Sequence, residues 1–307
     1  MSEKQRHLSL AGEPLVRVSA TDLNAFFGCS LLWFFKKILG LKGFSLEAKL
    51  LDDTFMGNLY HGILEALFTR IRGEDTRFIP GRLPEYRQWA SKCTAEAAAN
   101  FRVFQSPLAS PLLMSQSTVI SKKICALLET EEEKFAGYTV GALEQEFDLV
   151  EDGMFINGRF DRISISPDDD AVIIDYKFYH IPSQNECRHT EGAPLEDFQM
   201  ALYIKLYEAS KGISIGNGYF ISILKNDMTT VLKQDKKIEG SAREQYQSTL
   251  DALEAFTRDF RDSVESLNFA PGEIPYKQCV RCDYRPVCRS TYNLNRNTVA
   301  GEAVHAG

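Results

Sequence analysis

The hydrophobic period of this chain turns from helical to strand-like near residue 143, and that change limits the folds open to it. In the first half apolar residues return at helical intervals: Phe55, Leu59, Ile63, Leu67 and Ile71 make one stripe along a helix predicted over 53–72. Two further helices, around 84–104 and 112–136, are rich in Ala, Glu and Lys and read as a helical insertion or lid. From 143 the pattern turns strand-like, with runs at 143–150, 154–165 and 171–178 and turns at Gly153 and Asp168 to Asp170. Val172-Ile173-Ile174 is apolar throughout, as a strand buried on both faces requires. A helix at about 196–210, strands at Tyr219–Leu224 and Thr229–Leu232 and a charged helix at 240–265 complete the order. This order predicts an α/β fold with a central mixed sheet flanked by helices.

The 307 residues, 44% hydrophobic and 25% charged, suffice for a sizeable core. The net charge of −7 decides little, because phosphate contacts need a local basic surface and cation sites use carboxylates. The most apolar stretch, Leu31 to Leu41, is broken by Lys36 and Lys37, so no membrane partner is expected. Met1 to Pro14 has no apolar core of a secretory signal, and the expected location is cytoplasmic. In a reducing compartment the seven cysteines are not expected to form disulfides. Residues 1–17 are expected to be a flexible N-terminus and 291–307 a disordered tail. Ser19 and Asp22 have capping-box spacing, which starts a helix near Thr21. The loops and motifs of Walker-type ATPases, serine hydrolases and zinc peptidases are missing from the sequence.

Chemistry concentrates at Gly158-Arg159-Phe160-Asp161 and Ile173-Ile174-Asp175-Tyr176-Lys177. Asp175 and Lys177 are two apart and face the same way on a strand. Asp161 lies near the end of the preceding strand and in a hairpin could come alongside Asp175. Charges at the end of a buried strand are costly unless paired or metal-bound. Two carboxylates held together would be relieved by a hard divalent cation such as Mg²⁺ or Mn²⁺, with Lys177 orienting a water or neutralising developing charge. A solvated Asp–Lys pair on a surface hairpin has the same spacing and contributes little. Cys279-x-x-Cys282-x5-Cys288 is a compact metal-ligand spacing that needs a fourth thiolate, for which Cys29 is the candidate. Arg281, Tyr284, Arg285 and Arg289 lie in or beside it, as a phosphate contact or simply as a solvated surface. Cys93, Cys125 and Cys187 read as ordinary thiols.

Gly-x-x-Asp-Arg followed by Ile-Ile-Asp-Tyr-Lys resembles the core of the PD-(D/E)xK nucleases, and in particular the RecB-like group with the AddB nuclease domain and the iron–sulfur CRISPR adaptation nucleases. Four further segments resemble that group in order: Ser19 to Leu23 with Cys29, Gly57 to His61, Gln199 to Tyr203, and the late cysteines. The resemblance covers about residues 18–290 and implies a restriction-endonuclease-like single domain. Its helical part would be about 53–140, its catalytic sheet core about 141–235, and its closure Cys29 with 279–288.

For the site, the resemblance implies metal ligation by His61, Asp161, Asp175 and the carbonyl of Tyr176, with Lys177 as the catalytic lysine. It also implies an upstream glutamate; Glu144 and Glu146 both lie there, and spacing favours Glu146. Glu65, one turn beyond His61, is placed to orient the imidazole, although a lone helical histidine is more often a packed or surface residue. Gln199 and Tyr203 share a helix face, either as a clamp on DNA or on the lysine, or as a core tyrosine beside a surface amide. The cysteines would bind a [4Fe–4S] cluster, with Zn²⁺ as the alternative that spacing leaves open. The function implied is a Mg²⁺- or Mn²⁺-dependent deoxyribonuclease. It would be an exonuclease on single-stranded DNA ends in repair or recombination, whose helicase partner is another subunit or domain. The alternative is a catalytically silent DNA-binding or scaffolding module of the same fold.

Overall fold

The structure, a computed structural model, describes residues 9–10, 13–42, 51–100, 109–190, 193–213, 215–233, 241–271, 279–280 and 282–288. The N-terminal strands are short: β1 (Ser9–Leu10) and β2 (Glu13–Pro14) pair as a hairpin, and β3 (Val16–Val18) joins the main sheet. The looseness expected through residue 17 therefore ends earlier. Val18 is fully buried and Val16 packs against the core, so the apolar alternation Val-Arg-Val earns a place beside β5. The expected tail at 291–307 lies outside the described residues.

Ser19 caps α1 (Ala20–Gly28), its hydroxyl accepting from the Asp22 amide. Cys29, in extended backbone, separates α1 from α2 (Ser30–Trp33), and a π-helical turn Phe34–Ile38 follows. Three long helices come next: α3 (Asp53–Asp75), α4 (Leu83–Asn100) and α5 (Ala109–Phe135). Then β4 (Thr139–Glu151) and β6 (Ala171–Lys177) each pair antiparallel with β5 (Met154–Ile165). Helix α6 (Gln199–Lys211) leads to β7 (Ile215–Ser222), parallel to β6, and β8 (Met228–Lys233) pairs antiparallel with β7 before α7 (Ser241–Glu265).

The sheet order is β3-β5-β6-β7-β8, with β4 on the remaining edge of β5. It is a central mixed sheet with helices on both faces. Ala171 and Ile173 of β6 join Ile156, Phe160 and Phe220 in a core with α1, α6 and α7. Val172, Ile174 and Tyr176 join Ile221 and Ile223 in a second core with α3, α4 and α5. Each alternate residue of β6 thus meets a different apolar layer, which is why this strand reads as unbroken hydrophobic sequence. The helices at 53–135 are accordingly a full layer of the fold rather than a lid: their stripe, Leu59, Ile63, Leu67 and Ile71, is buried against the sheet.

A buried ion pair binds that layer to the sheet. Arg162 on β5 is 2% exposed and donates from Nη2 to Oε2 of the fully buried Glu131 on α5, at 2.7 Å. The Tyr176 hydroxyl donates to the other oxygen at 2.7 Å, and the Arg162 guanidinium lies 4.1 Å from the Phe68 ring centre.

Candidate active site

The site forms where the ladder of β5 is interrupted. β4 occupies one edge of β5 along its whole length, from Met154 to Ile165. The other edge is shared, with β3 opposite Met154 to Ile156 and β6 opposite Arg162 to Ile165. Residues 157–161 therefore have no strand beside them on that edge among the described residues. One step beyond the last β5–β6 pair, Arg162 with Ile174, would set Asp161 opposite Asp175. There the strands part, and Asp161 Oδ2 accepts the Tyr176 amide at 2.7 Å in place of a backbone carbonyl.

The second oxygen of Asp161 faces α3, where His61 Nδ1 lies 3.3 Å away. Glu144 on β4 completes the group, its Oε1 at 3.7 Å from the same nitrogen. Potential ligand atoms of His61, Glu144 and Asp161 all lie within 4.8 Å of one another. Glu65 is exposed and the imidazole turns instead to the sheet, so the expected second partner for His61 is replaced by two strand carboxylates.

The expected upstream glutamate, Glu146, is exposed and lies opposite Arg159 in the ladder; the residue brought to the site is Glu144. The cause is local. Register shifts between Val140 and Leu143, and Glu144 has φ of 47°, in the left-handed region that a glutamate occupies only at a cost. Such a bulge re-aims a side chain, and regular alternation cannot foresee it. Arg159 Nε holds the outer oxygen Oε2 of Glu144 at 2.7 Å.

Asp175 stands beside this group but is committed differently. It is 2% exposed; Gln199 Nε2 donates to its Oδ1 at 2.7 Å, while its Oδ2 forms an ion pair with Lys177 Nζ at 2.7 Å. That buried Oδ2 has no aligned hydrogen-bond donor among the described residues. Lys177 in turn donates to Gln199 Oε1 at 2.6 Å, and Gln199 Nε2 also reaches the Tyr203 hydroxyl at 2.9 Å. One amide thus sits between the acid, the lysine and the tyrosine. Gln199 begins α6, and that start is fixed from α1: Asn24 Nδ2 donates to Asp197 Oδ2 at 3.0 Å, and its Oδ1 accepts from the Phe198 amide at 2.9 Å. Gly158 permits the packing, because a β-carbon there would come within 2.8 Å of the Tyr203 ring.

The electrostatics are those of a site short of positive charge. Burial pushes the Asp175 carboxyl up to about 7, the charge of Asp161 adds to the rise, and Lys177 opposes it. Burial alone would lower the His61 pKa, but hydrogen bonds to Asp161 and Glu144 overcome this and raise it to about 10. The two carboxylates thus favour the protonated imidazole, whereas a cation held in the same place would take its neutral form. The close oxygens of Glu144 and Asp161 and the His61 nitrogen form a donor set of the type that Mg²⁺ or Mn²⁺ accepts, next to the Asp175 oxygen that Lys177 neutralises. His61, Glu144 and Asp161 could hold such an ion directly, with Asp175 adjacent.

Cys29, Cys279, Cys282 and Cys288 are all partly buried. Burial raises the Cys29 thiol pKa, backbone amides of Leu32 and Leu31 lower it, and Cys288 and Cys282 raise it again, so the two chain ends lie within electrostatic reach. Tyr284 ties them further, its hydroxyl donating to Leu41 O at 2.8 Å and its ring 5.8 Å from that of Phe35. Ser30 Oγ likewise donates to the carbonyls of Phe269 and Ala270. Arg281 and Arg289 lie outside the described residues, and Arg285 is exposed.

Known proteins with similar sequences bear on this arrangement. An uncharacterized protein of Treponema pallidum (strain Nichols) is 34% identical over 93 residues, which amount to 30% of this chain and 12% of that protein. The chain thus spans about an eighth of that relative. The crystal structure of SSO0001 shares 14% identity and a TM-score of 0.26, over 65% of this chain and 84% of its own, too remote to argue from. No helix of the described residues is long and apolar enough to cross a membrane. Residues 17–289 match the PD-(D/E)XK nuclease superfamily, a span holding every strand of the main sheet except Val16 of β3 and all the acidic and basic groups described above. A match over so much of the chain makes it a member of the PD-(D/E)XK nuclease superfamily.

Proposed function

We propose that the chain is a RecB-like, divalent-metal-dependent deoxyribonuclease, an exonuclease acting on single-stranded DNA ends in repair or recombination, with residues 18–290 as one nuclease domain. The observation that carries this reading is the convergence of His61, Glu144 and Asp161 beside the Asp175–Lys177 pair at the gap in the β5 ladder. In this reading His61, Glu144, Asp161 and Asp175 hold Mg²⁺ or Mn²⁺, with the carbonyl of Tyr176 as a further donor. A bound ion of this kind polarises the phosphodiester and lowers the pKa of a bound water. Lys177, fixed between Asp175 and Gln199, neutralises charge developing on the attacked phosphate or orients the water. Tyr203 fixes the amide of Gln199, and through it the lysine. A helicase subunit or domain is the partner this reading expects.

Timed digestion of end-labelled single- and double-stranded DNA tests it. Single strands are expected to shorten from an end with Mg²⁺ or Mn²⁺ and to remain whole with chelator. Intact DNA under both cations would overturn the reading; tight DNA binding without cleavage would favour a silent scaffolding module instead.

The same reading assigns Cys29, Cys279, Cys282 and Cys288 to a [4Fe–4S] cluster that fastens the N-terminal helices to the C-terminal segment. Its support is the proximity of Cys29 to Cys282 and Cys288, and the Leu32 amide, which donates to Cys29 Sγ at 3.4 Å. Anaerobically purified protein is expected to absorb visible light and to contain iron and sulfide, and Cys279→Ala to lose both colour and thermal stability. Colourless protein holding zinc would replace the cluster with a Cys₄ zinc site.

A further inference from the structure

Beyond Lys177, β6 leaves the sheet through Phe178, Tyr179 and His180. Phe178 turns inward to the Tyr60 ring, 5.7 Å away, next to His61 on α3. Tyr179 turns outward and is 56% exposed, two residues from the lysine of the site. A ring of this size left in water beside a reaction centre needs a reason, and the surroundings of Tyr179 hold it in place.

Ser222, paired with Lys177 in the β6–β7 register, is the hub. Its hydroxyl donates to the Tyr179 carbonyl at 2.7 Å and accepts from the Lys225 amide at 3.3 Å. A single side chain therefore fixes the backbone of both Tyr179 and Lys225, whose ammonium lies 4.4 Å from the Tyr179 ring centre. The turn carrying Lys225 is also tied to α5. Asn226 accepts from Thr130 Oγ1 at 2.9 Å and donates to the Ala126 carbonyl at 3.3 Å, and Lys123 Nζ donates to the Leu224 carbonyl at 2.7 Å. Among the described residues neither Lys225 nor Lys123 has a carboxylate within 4.0 Å. Lys225 thus places an ammonium against the exposed ring with no carboxylate paired to it among the described residues.

From this geometry we infer that Tyr179 and Lys225 form a stacking platform for one unpaired base of the substrate, next to the phosphate that is cut. The inference rests on the nuclease reading and adds residues for specificity to it. Base–aromatic stacking accepts any base, and a lysine beside it meets the backbone phosphate. Bases inside a duplex are stacked on both faces already, so the ring selects single strands or frayed ends. Ser222 and α5 preorganise the backbone that carries the ring and its cation, so little main-chain freedom is lost when a base arrives.

The test uses the full chain, a 5′-fluorescein oligo-dT and a blunt duplex. Binding is followed by anisotropy without divalent cation, and cleavage with Mg²⁺ or Mn²⁺. Tyr179→Ala is expected to weaken oligo-dT binding and raise KM on single strands on the order of tenfold, the effect of losing one stacked base, with a smaller change in kcat. Tyr179→Phe keeps the ring and should stay near wild type. Lys225→Ala should lower the slope of log affinity against log salt by about 0.7, one single-strand phosphate contact. Wild-type binding and KM in Tyr179→Ala, or no binding of oligo-dT by the wild type, would overturn the platform. Cleavage that persists unchanged in Tyr179→Ala would leave the nuclease reading standing without it. Ring-dependent binding with no cleavage under either cation would do the reverse.

Discussion

Asp161→Asn and Lys177→Ala are each expected to lower metal-dependent DNA cleavage by a factor of about 10³ or more, since an ion's several kcal/mol of charge stabilisation translates into tenfold per 1.36 kcal/mol. The two changes act on different groups and can be told apart. Asparagine at 161 keeps an oxygen for the Tyr176 amide, now 2.7 Å from the carboxylate, so the β5–β6 junction stays closed. What it loses is the charge that faces His61 and that a cation would share with Glu144. Lys177→Ala leaves that group untouched but strips Asp175 of its ion pair. Burial raises the Asp175 carboxyl to about 7 even with Lys177 opposing the rise, so removing the lysine moves it further up, and Asp175 is then protonated at neutral pH. Buried as a neutral acid, it costs little stability, and the fold should survive. Thermal melts with and without Mn²⁺ separate the roles. An ion that binds only the folded state raises Tm, so Lys177→Ala, which keeps His61, Glu144 and Asp161 but leaves Asp175 protonated, should retain part of such a rise and Asp161→Asn should lose most of it. Cleavage retained in both variants would remove these residues from the centre.

Much of this site is legible in the sequence because its two central strands obey simple rules. Val172 to Ile174 must be buried on both faces, so Asp175 and Lys177 come at the end of a central strand, and a period of two sets them on one face. The helix pair Gln199 and Tyr203 follows from a period near four, and the hydrogen bond between them is its result. That Glu144 rather than Glu146 is the residue brought to the site was not legible. Glu144 reaches the site through a register shift and a left-handed backbone, and both depend on how β4 meets β5 rather than on residue type. Nor does local pattern show that Arg162 is buried: Phe160 packs with α6 on one side of the sheet, while Arg162, two residues on, packs with α5 on the other. Strict alternation would have put both on one face. The break falls at Asp161, where β5 leaves one partner and takes up another, so the residue with the most chemistry sits where the rule fails.

Glu131→Ala is expected to cost about 3–5 kcal/mol of folding stability, the usual consequence of leaving one member of a buried ion pair without its partner. Glu131 is fully buried and Arg162 is 2% exposed, so water cannot replace the lost carboxylate. Two hydrogen bonds end at Glu131, from Arg162 Nη2 and the Tyr176 hydroxyl, both 2.7 Å, and alanine orphans both donors. Arg162 Nε already lacks a hydrogen-bond partner among the described residues, and the aromatic rings of Phe68, Phe135 and Tyr176 around the guanidinium offer only partial compensation. At roughly 2–4 °C per kcal/mol for a chain of this general size, Tm should fall by about 10 °C, and the urea midpoint should drop without a change in slope. Glu131→Gln keeps an acceptor but not the charge and should fall between alanine and wild type. The triple change Glu131→Leu, Arg162→Met, Tyr176→Phe removes every polar partner together and should recover most of the stability, since apolar packing can replace a buried charged network of the same volume. The network also adjoins the centre at two points: Arg162 follows Asp161, and Tyr176 separates Asp175 from Lys177. The triple variant is therefore expected to melt near wild type yet cleave more slowly, because it restores burial without the bonds that fix the β5–β6 junction. A Glu131→Ala protein melting within about 2 °C of wild type, a loss below 1 kcal/mol on the same scale, would show that the ion pair does not hold the helical layer to the sheet.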